Sequence, residues 1–353
     1  MKLSASQLAG QALVVGFDGA ALPEWVRTAL SEGRLGGVIL FRRNLPELAA
    51  IAALNAAVVA AAAGPPPLIG LDEEGGRVRR MPAPFPALPA MRRLGDTEDQ
   101  ALARRVGRGL GAALGAFGFN LDFAPVLDVD TNPSNPIIGD RAFSSEPERA
   151  GALGAAFGLG LMEAGVLACG KHFPGHGDTV SDSHLELPRV DHGRERLERV
   201  ELAPFAAAIR AGLPALMSAH VVYPALDPAR PATLSRAIAT DLLRDRLGFG
   251  GVLFSDDLEM RALADHHAVE ESAVLAVEAG CDVLLVCSRR DFVERAHEAL
   301  AREAERSPAF HARLRQAFER SRVLRESHPP RPSADPTSPL AVLAALAASL
   351  HAD

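Results

Sequence analysis

The sequence predicts an α/β protein: a single-domain (β/α)8 barrel of the TIM type with a short Pro-rich C-terminal tail. Three observations point there. Eight short apolar runs alternate with stretches of helical spacing between Ala12 and Arg302, the pattern of parallel strands joined by crossover helices. The runs are continuous in apolar residues, as Gly37-Val38-Ile39-Leu40-Phe41 and Asp282-Val283-Leu284-Leu285-Val286 show; strands covered on both faces lose the in/out alternation. Finally, the first run leads into Gly16-Phe17-Asp18-Gly19. A doubly wound open sheet would carry a Gly-rich phosphate turn there, so that architecture comes second.

Strands are expected at Ala12–Phe17, Gly36–Phe41, Pro67–Asp72, Asn120–Val129, Val166–Phe173, Pro214–His220, Gly251–Asp256 and Cys281–Cys287. The first long helix is expected over Leu45–Ala63, with Asn44 as its N-cap, Pro46 in its first turn and Gly64-Pro65 as its stop. Thr97–Phe117 and Ser145–Ala164 open on polar residues and end at glycines. Arg196–Ala211, Arg236–Leu247, Val269–Ala279 and Asp291–Arg302 complete the alternation, and Pro308–Arg325 follows. Residues 1–326 therefore read as the barrel. Residues 327–353 read as a Pro-rich linker, extended in character, and a short apolar helix over Leu340–Leu350.

The chain of 353 residues is 48% apolar and carries a net charge of −7, which excludes wholesale disorder and a dedicated nucleic-acid binder with its basic stripe. Cys169, Cys281 and Cys287 sit in apolar runs and read as buried free thiols in a reducing compartment. Met1–Gln7 lacks the apolar core of a secretory signal, and no apolar run reaches the roughly 18 residues of a membrane span. The expectation is a cytoplasmic, monomeric protein with no membrane or nucleic-acid partner. Of its 37 basic side chains only Lys2 and Lys171 are lysines, which draws attention to Lys171.

In such a barrel the chemistry collects at the C-terminal ends of the strands. Charged residues recur there: Asp72-Glu73-Glu74 with Arg77-Val78-Arg79-Arg80, then Asp128-Val129-Asp130 and Gly139-Asp140-Arg141, Lys171-His172, His220, and Ser255-Asp256-Asp257. The densest stretch runs from Lys171 to His184. It admits a zinc set built on His172, His176 and His184, although no compact His pair is present. A phosphate loop at Gly165–Lys171 fails, because the intervening residues form an apolar strand and His172 follows the lysine. The third reading is a catalytic loop hinged at Pro174-Gly175 and Gly177. In it Asp182 accepts the N–H of His184 and tunes that imidazole for proton transfer. Asp257 is the natural helix cap after strand seven, leaving Asp256 to project into the mouth.

Lys171-His172-Phe173-Pro174-Gly175-His176-Gly177, Asp182-Ser183-His184 and Ser255-Asp256-Asp257-Leu258 resemble the β-N-acetylglucosaminidases of glycoside hydrolase family 3, the NagZ type. The likeness extends to Gly37–Phe41 with Arg43-Asn44, Asp72–Val78, Ala124–Asp128 and Ala219-His220-Val221, and so spans nearly the whole barrel. It implies a retaining mechanism with Asp256 as nucleophile and His184, oriented by Asp182, as acid/base. It further implies a sugar site of Asp72, Arg80, Arg141, Lys171 and His172, to which His220 and Met260 are added. Arg77 and Arg79 alternate away from Arg80 and read as structural. The implied substrate is a small muropeptide-derived disaccharide, N-acetylglucosamine β-linked to 1,6-anhydro-N-acetylmuramic acid, with no metal and no cofactor. With one Trp and one Tyr in the chain, apolar contact with the sugar falls to Phe and Met, Phe143 and Met260 being the candidates. A family 3 phosphorylase, another β-glycosidase and a zinc-dependent barrel hydrolase stay open as alternatives.

Overall fold

The computed structural model of the protein describes residues 3–180, 187–333 and 335–351. Eight parallel strands form a closed barrel in chain order: β1 (Leu13–Val15), β2 (Gly37–Ile39), β3 (Leu68–Leu71), β4 (Leu121–Asp122), β5 (Leu167–Phe173), β6 (Ala215–Ser218), β7 (Val252–Asp257) and β8 (Val283–Val286), with β8 pairing back onto β1. Val14 lies opposite both Gly37 and Leu285, which is the seam of the closure. Along each strand the side chains divide between two environments. Val14, Ile39, Leu121, Leu167, Cys169, Met217 and Phe254 fill the barrel, while Leu13, Val15, Val38, Ile69 and Leu216 meet the surrounding helices. Inside, Phe123 and Phe254 pack edge to face with centroids 5.5 Å apart.

The helical shell departs from the sequence expectation wherever a side chain has a better partner than the helix end. Asn44 does not cap the helix over Leu48–Ala61; it accepts from Phe41 N and donates to the carbonyls of Phe17 and Gly19. The helix expected over Thr97–Phe117 starts at Gln100 and runs to Ala116, because the Asp99 carboxylate caps Leu102 N after Glu98 turns the chain at φ 55°; a separate short helix, Met91–Asp96, precedes it. Arg196–Ala211 likewise breaks into Arg194–Arg199 and Ala203–Ala211, the second with Pro204 in its first turn. Over Ala237–Arg246 the chain is wound as a π-helix. Strand four is shorter than Asn120–Val129, since Pro125 has no N–H to give the ladder and only Val126 bridges on to Lys171.

The N-terminal end of the barrel is closed by long arginines. Arg325 is 1% exposed and reaches the carbonyls of Pro65 and Pro66 and the Gln11 amide oxygen. Asp282, at the foot of β8, is contacted by Arg244 (2.6 Å), Arg313 (2.8 Å) and Arg320 (3.2 Å). A final helix, Thr337–His351, lies against Gln100–Ala116 so closely that a Cβ at Gly109 would meet Leu346 Cδ1 at 2.7 Å. Because Asp282 faces three guanidinium groups at the end remote from the mouth, Asp282→Ala strands buried cations. It is expected to cost about 3–5 kcal/mol in urea unfolding while leaving turnover per folded molecule nearly unchanged.

Candidate active site

The end of β3 delivers three consecutive acids, and each meets a different environment. Asp72 accepts from Lys171 Nζ at 2.7 Å and from Arg80 at 3.1 Å. Glu74 is gripped by two nitrogens of Arg141, both at 2.8 Å, and by Lys171 at 2.6 Å. Burial alone would raise both carboxyls, but Lys171 and Arg80 beside Asp72, and Arg141 and Lys171 beside Glu74, outweigh it and hold both below their ordinary values. Lys171, itself 2% exposed, is held charged by the same two acids against its own desolvation. Glu73 points away from this trio. Its carboxylate accepts from Arg80 N (2.7 Å) and Met81 N (2.9 Å), folding residues 73–81 back so that the Arg80 side chain reaches Asp72.

The loop after β4 supplies Asp128, fully buried, which accepts from His172 Nδ1 at 2.7 Å and from His176 N at 2.6 Å. It therefore fixes the His172 ring and the start of the loop after β5 together. Burial and the neighbouring His172 push the His176 imidazole down to about 4, so it is neutral at physiological pH. His176 Nδ1 lies 2.8 Å from Thr179 Oγ1.

At the end of β7, Asp256 is half-buried, and His220 and His172 outweigh its desolvation to keep its carboxyl below the ordinary value. Asp257 does not cap a helix. Its carboxylate accepts from Glu259 N and from Cys287 N just past the end of β8, and burial beside Glu259 raises it to about 7. His220 is buried behind this strand end, with Nδ1 on Thr233 Oγ1 and Nε2 on the Asp257 carbonyl.

Asp72, Arg80, Arg141, Lys171, His172, Asp256 and Met260 line one cavity of about 300 Å³ at the mouth, floored by apolar side chains from β2, β6 and β8. Wider grooves of about 580 and 610 Å³ lie outside the barrel between helices; the smaller cavity is where buried charges converge. His220 does not line it. Asp182 and His184 lie outside the described residues. Phe143 is fully buried against Phe157 and offers no surface to the mouth, which corrects its candidacy; Phe41 lines the cavity instead, with the Arg43 and Arg80 guanidinium groups over its ring. Of the proposed zinc set, His172 is committed to Asp128 and His176 to Thr179, and His184 is not described. Arg77 donates to Asp140 and to the carbonyls of Ile137 and Ile138, the structural position expected of it. Sequence reading passed over Glu74 and Asp128 as site members. Both stood in acidic strand ends, and only their partners, distant in sequence, set them apart.

Three comparisons bear on this mouth. Residues 8–324 match the glycosyl hydrolase family 3 N terminal domain. A β-hexosaminidase of Chromobacterium violaceum is 44% identical over 295 residues, 82% of this chain and 82% of the relative. A glycoside hydrolase family 3 β-N-acetylglucosaminidase from Paenibacillus sp. str. FPU-7 superposes with a TM-score of 0.91 at 39% identity, over 98% of this chain and 68% of that one. NagZ from Neisseria gonorrhoeae, in complex with N-trifluoroacetyl-D-glucosamine, does so with 0.76 at 35% identity, over 95% and 97%.

Glu73 makes the site's acidity testable apart from turnover. Burial raises its carboxyl from 4.5 to about 7, against the lowering effect of the Met81 and Arg80 amides. The fold thus favours the uncharged acid: its contribution is present below 4.5 and is lost as pH rises through about 7. Glu73→Gln, which cannot ionise, is expected to raise the melting temperature relative to the parent at pH 8 and to change it little at pH 4.5.

Proposed function

The chain belongs to glycosyl hydrolase family 3 and is a β-hexosaminidase-type glycoside hydrolase, and from that premise we propose a retaining exo-β-N-acetylglucosaminidase. Its proposed substrate is N-acetylglucosamine β-linked to 1,6-anhydro-N-acetylmuramic acid, with or without the stem peptide, and its proposed role is cytoplasmic recycling of cell-wall peptidoglycan.

One observation carries the reading: an ionised carboxylate, Asp256, shares a cavity sized for about one sugar ring with the hydrogen-bonding set Asp72, Arg80, Arg141, Lys171 and His172. Asp72 keeps one face toward the cavity while its charge is matched by Lys171 and Arg80, so it can accept from sugar hydroxyls without repelling the nucleophile. A neighbour that binds N-trifluoroacetyl-D-glucosamine supports an N-acylated glucosamine here. Buried, free Cys169, Cys281 and Cys287 agree with a reducing compartment, and no helix among the described residues is long and apolar enough to cross a membrane.

In the first step Asp256 Oδ bonds to the anomeric carbon as the bond to the leaving oxygen breaks, and His184 gives that oxygen its proton. In the second, His184 takes a proton from water, whose oxygen displaces Asp256 and restores the original anomeric configuration. Asp182 orients the imidazole and stabilises its charged form.

A 2-deoxy-2-fluoro glycoside is expected to label the peptide that contains Asp256, and Asp256→Asn to lower turnover of an aryl N-acetylglucosaminide by about 10³-fold or more with an unchanged fold. A label elsewhere would move the nucleophile. Release of sugar 1-phosphate when phosphate is added would move the protein to the phosphorylase reading.

Lys171→Arg is expected to raise KM by about 10-fold or more. The compact ammonium fits between Asp72 and Glu74, and a planar guanidinium cannot take both bonds there without displacing Asp72 or Arg141. An unchanged KM would contradict this role for the lysine.

A further inference from the structure

Asn135, in the loop after β4, is 8% exposed and uses both ends of its amide. Its Oδ1 accepts from Ile137 N and Ile138 N, each at 2.8 Å. These bonds shape the turn that precedes Arg141, whose guanidinium donates to the Ile137 carbonyl at 3.2 Å. Its Nδ2 lies within hydrogen-bond distance of three acceptors at the root of the loop after β5: His176 O (3.0 Å), Gly177 O (3.1 Å) and Thr179 Oγ1 (3.2 Å). The two loops are also in contact through their backbones. A Cβ at Gly177 would stand 1.7 Å from the Val129 carbonyl oxygen, so only glycine lets the chains approach this closely. Thr131 reinforces the seam by donating to Asp178 at 2.9 Å, and Asn132 by donating to Thr179 O at 3.2 Å.

We propose that Asn135 is a positioning residue for the reaction. It holds the root of the loop that carries His184 at a set distance from the Arg141 side of the sugar site. This rests on the reading of His184 as the proton donor. His184 follows Thr179 closely in the chain, so where residues 176–179 are pinned sets where that segment begins. A shift of an ångström in a proton donor is enough to lower a rate about 100-fold. Only a primary amide serves both sides. A carboxylate would keep the bonds from Ile137 N and Ile138 N but would face the carbonyls of His176 and Gly177 with no proton to give.

Asn135→Asp therefore separates the two halves of the staple. The test measures kcat/KM, which reports the glycosylation step, for phenyl and 2,4-dinitrophenyl β-N-acetylglucosaminides. The dinitrophenolate leaves without protonation and the phenolate does not. Asn135→Asp is expected to lower kcat/KM by about 10- to 100-fold on the phenyl glycoside and by less than about 3-fold on the dinitrophenyl one. His184→Ala is the control and should show the same split, larger. If His184→Ala splits the two substrates and Asn135→Asp lowers both equally, or neither, Asn135 is not a positioning residue for the acid. If His184→Ala itself fails to split them, the assignment of the acid falls, and this inference with it. Should Asn135→Asp fail to fold by circular dichroism, Thr179→Val cuts the same staple from the loop side and is read by the same ratio.

Discussion

The site depends on one buried ammonium. Lys171 stands between Asp72 and Glu74 at 2.7 and 2.6 Å, and it is what lets a run of three acids leave a strand end and enter the barrel mouth. Burying ionised carboxylates is costly unless each is paired and hydrogen-bonded, and here each acid meets a different solution. Asp72 shares Lys171 with Glu74 and adds Arg80; Glu74 adds a two-nitrogen grip from Arg141; Glu73 accepts from two backbone amides instead. The last arrangement leaves its carboxyl near neutrality, while the first two hold theirs ionised. Remove the ammonium, and Arg80 and Arg141 would each face a carboxylate with nothing to set the distance between them.

That distance matters because the cavity wall opposite is also acidic. Asp256 is half-buried and stays ionised through His220 and His172, with a smaller contribution from Lys171. His172 is itself held by Asp128. Acids and bases therefore alternate around the mouth, from Arg80 and Asp72 through Lys171 and Glu74 to Arg141, and from Asp128 through His172 to Asp256. A nucleophile must carry charge without being neutralised by direct ion pairing. For Asp256, the proposed nucleophile, the Lys171 charge is already committed to two other carboxylates, and His220 and His172 favour its ionised form.

The fold was largely legible in the sequence because strands buried on both faces leave short β-branched apolar runs between turn residues, and each of the eight expected runs overlaps a strand of the barrel. Helix starts were less legible. Asn44 and Asp99 are comparable as caps, and whether each one caps was decided by its partners: the carbonyls of Phe17 and Gly19 draw Asn44 off, while Asp99 serves Leu102 N and Arg105 on its own helix. The site shows the same division. Lys171, His172, Asp72 and Asp256 could be read because strand ends point into the mouth. Glu74, Asp128 and Asn135 work through neighbours on other loops, such as the 67 positions between Glu74 and Arg141, and nothing local to their own segments announces that. Asp182 and His184 rest on sequence alone.

The few lysines of this chain sharpen the argument about Lys171. Arginine takes every other long-range cationic role in the barrel: three guanidinium groups surround Asp282 at the closed end, and Arg325 plugs the floor against neutral carbonyls. Those places suit a planar fork with several donors, since each has acceptors on more than one side. Between Asp72 and Glu74 the need is different. Two carboxylates converge on a single point, and the space beyond it is taken by Arg141 on one side and by the cavity at the mouth on the other. A point charge on a thin stem fills that position and a fork does not, so the one internal lysine is found where its geometry, and not only its charge, is required.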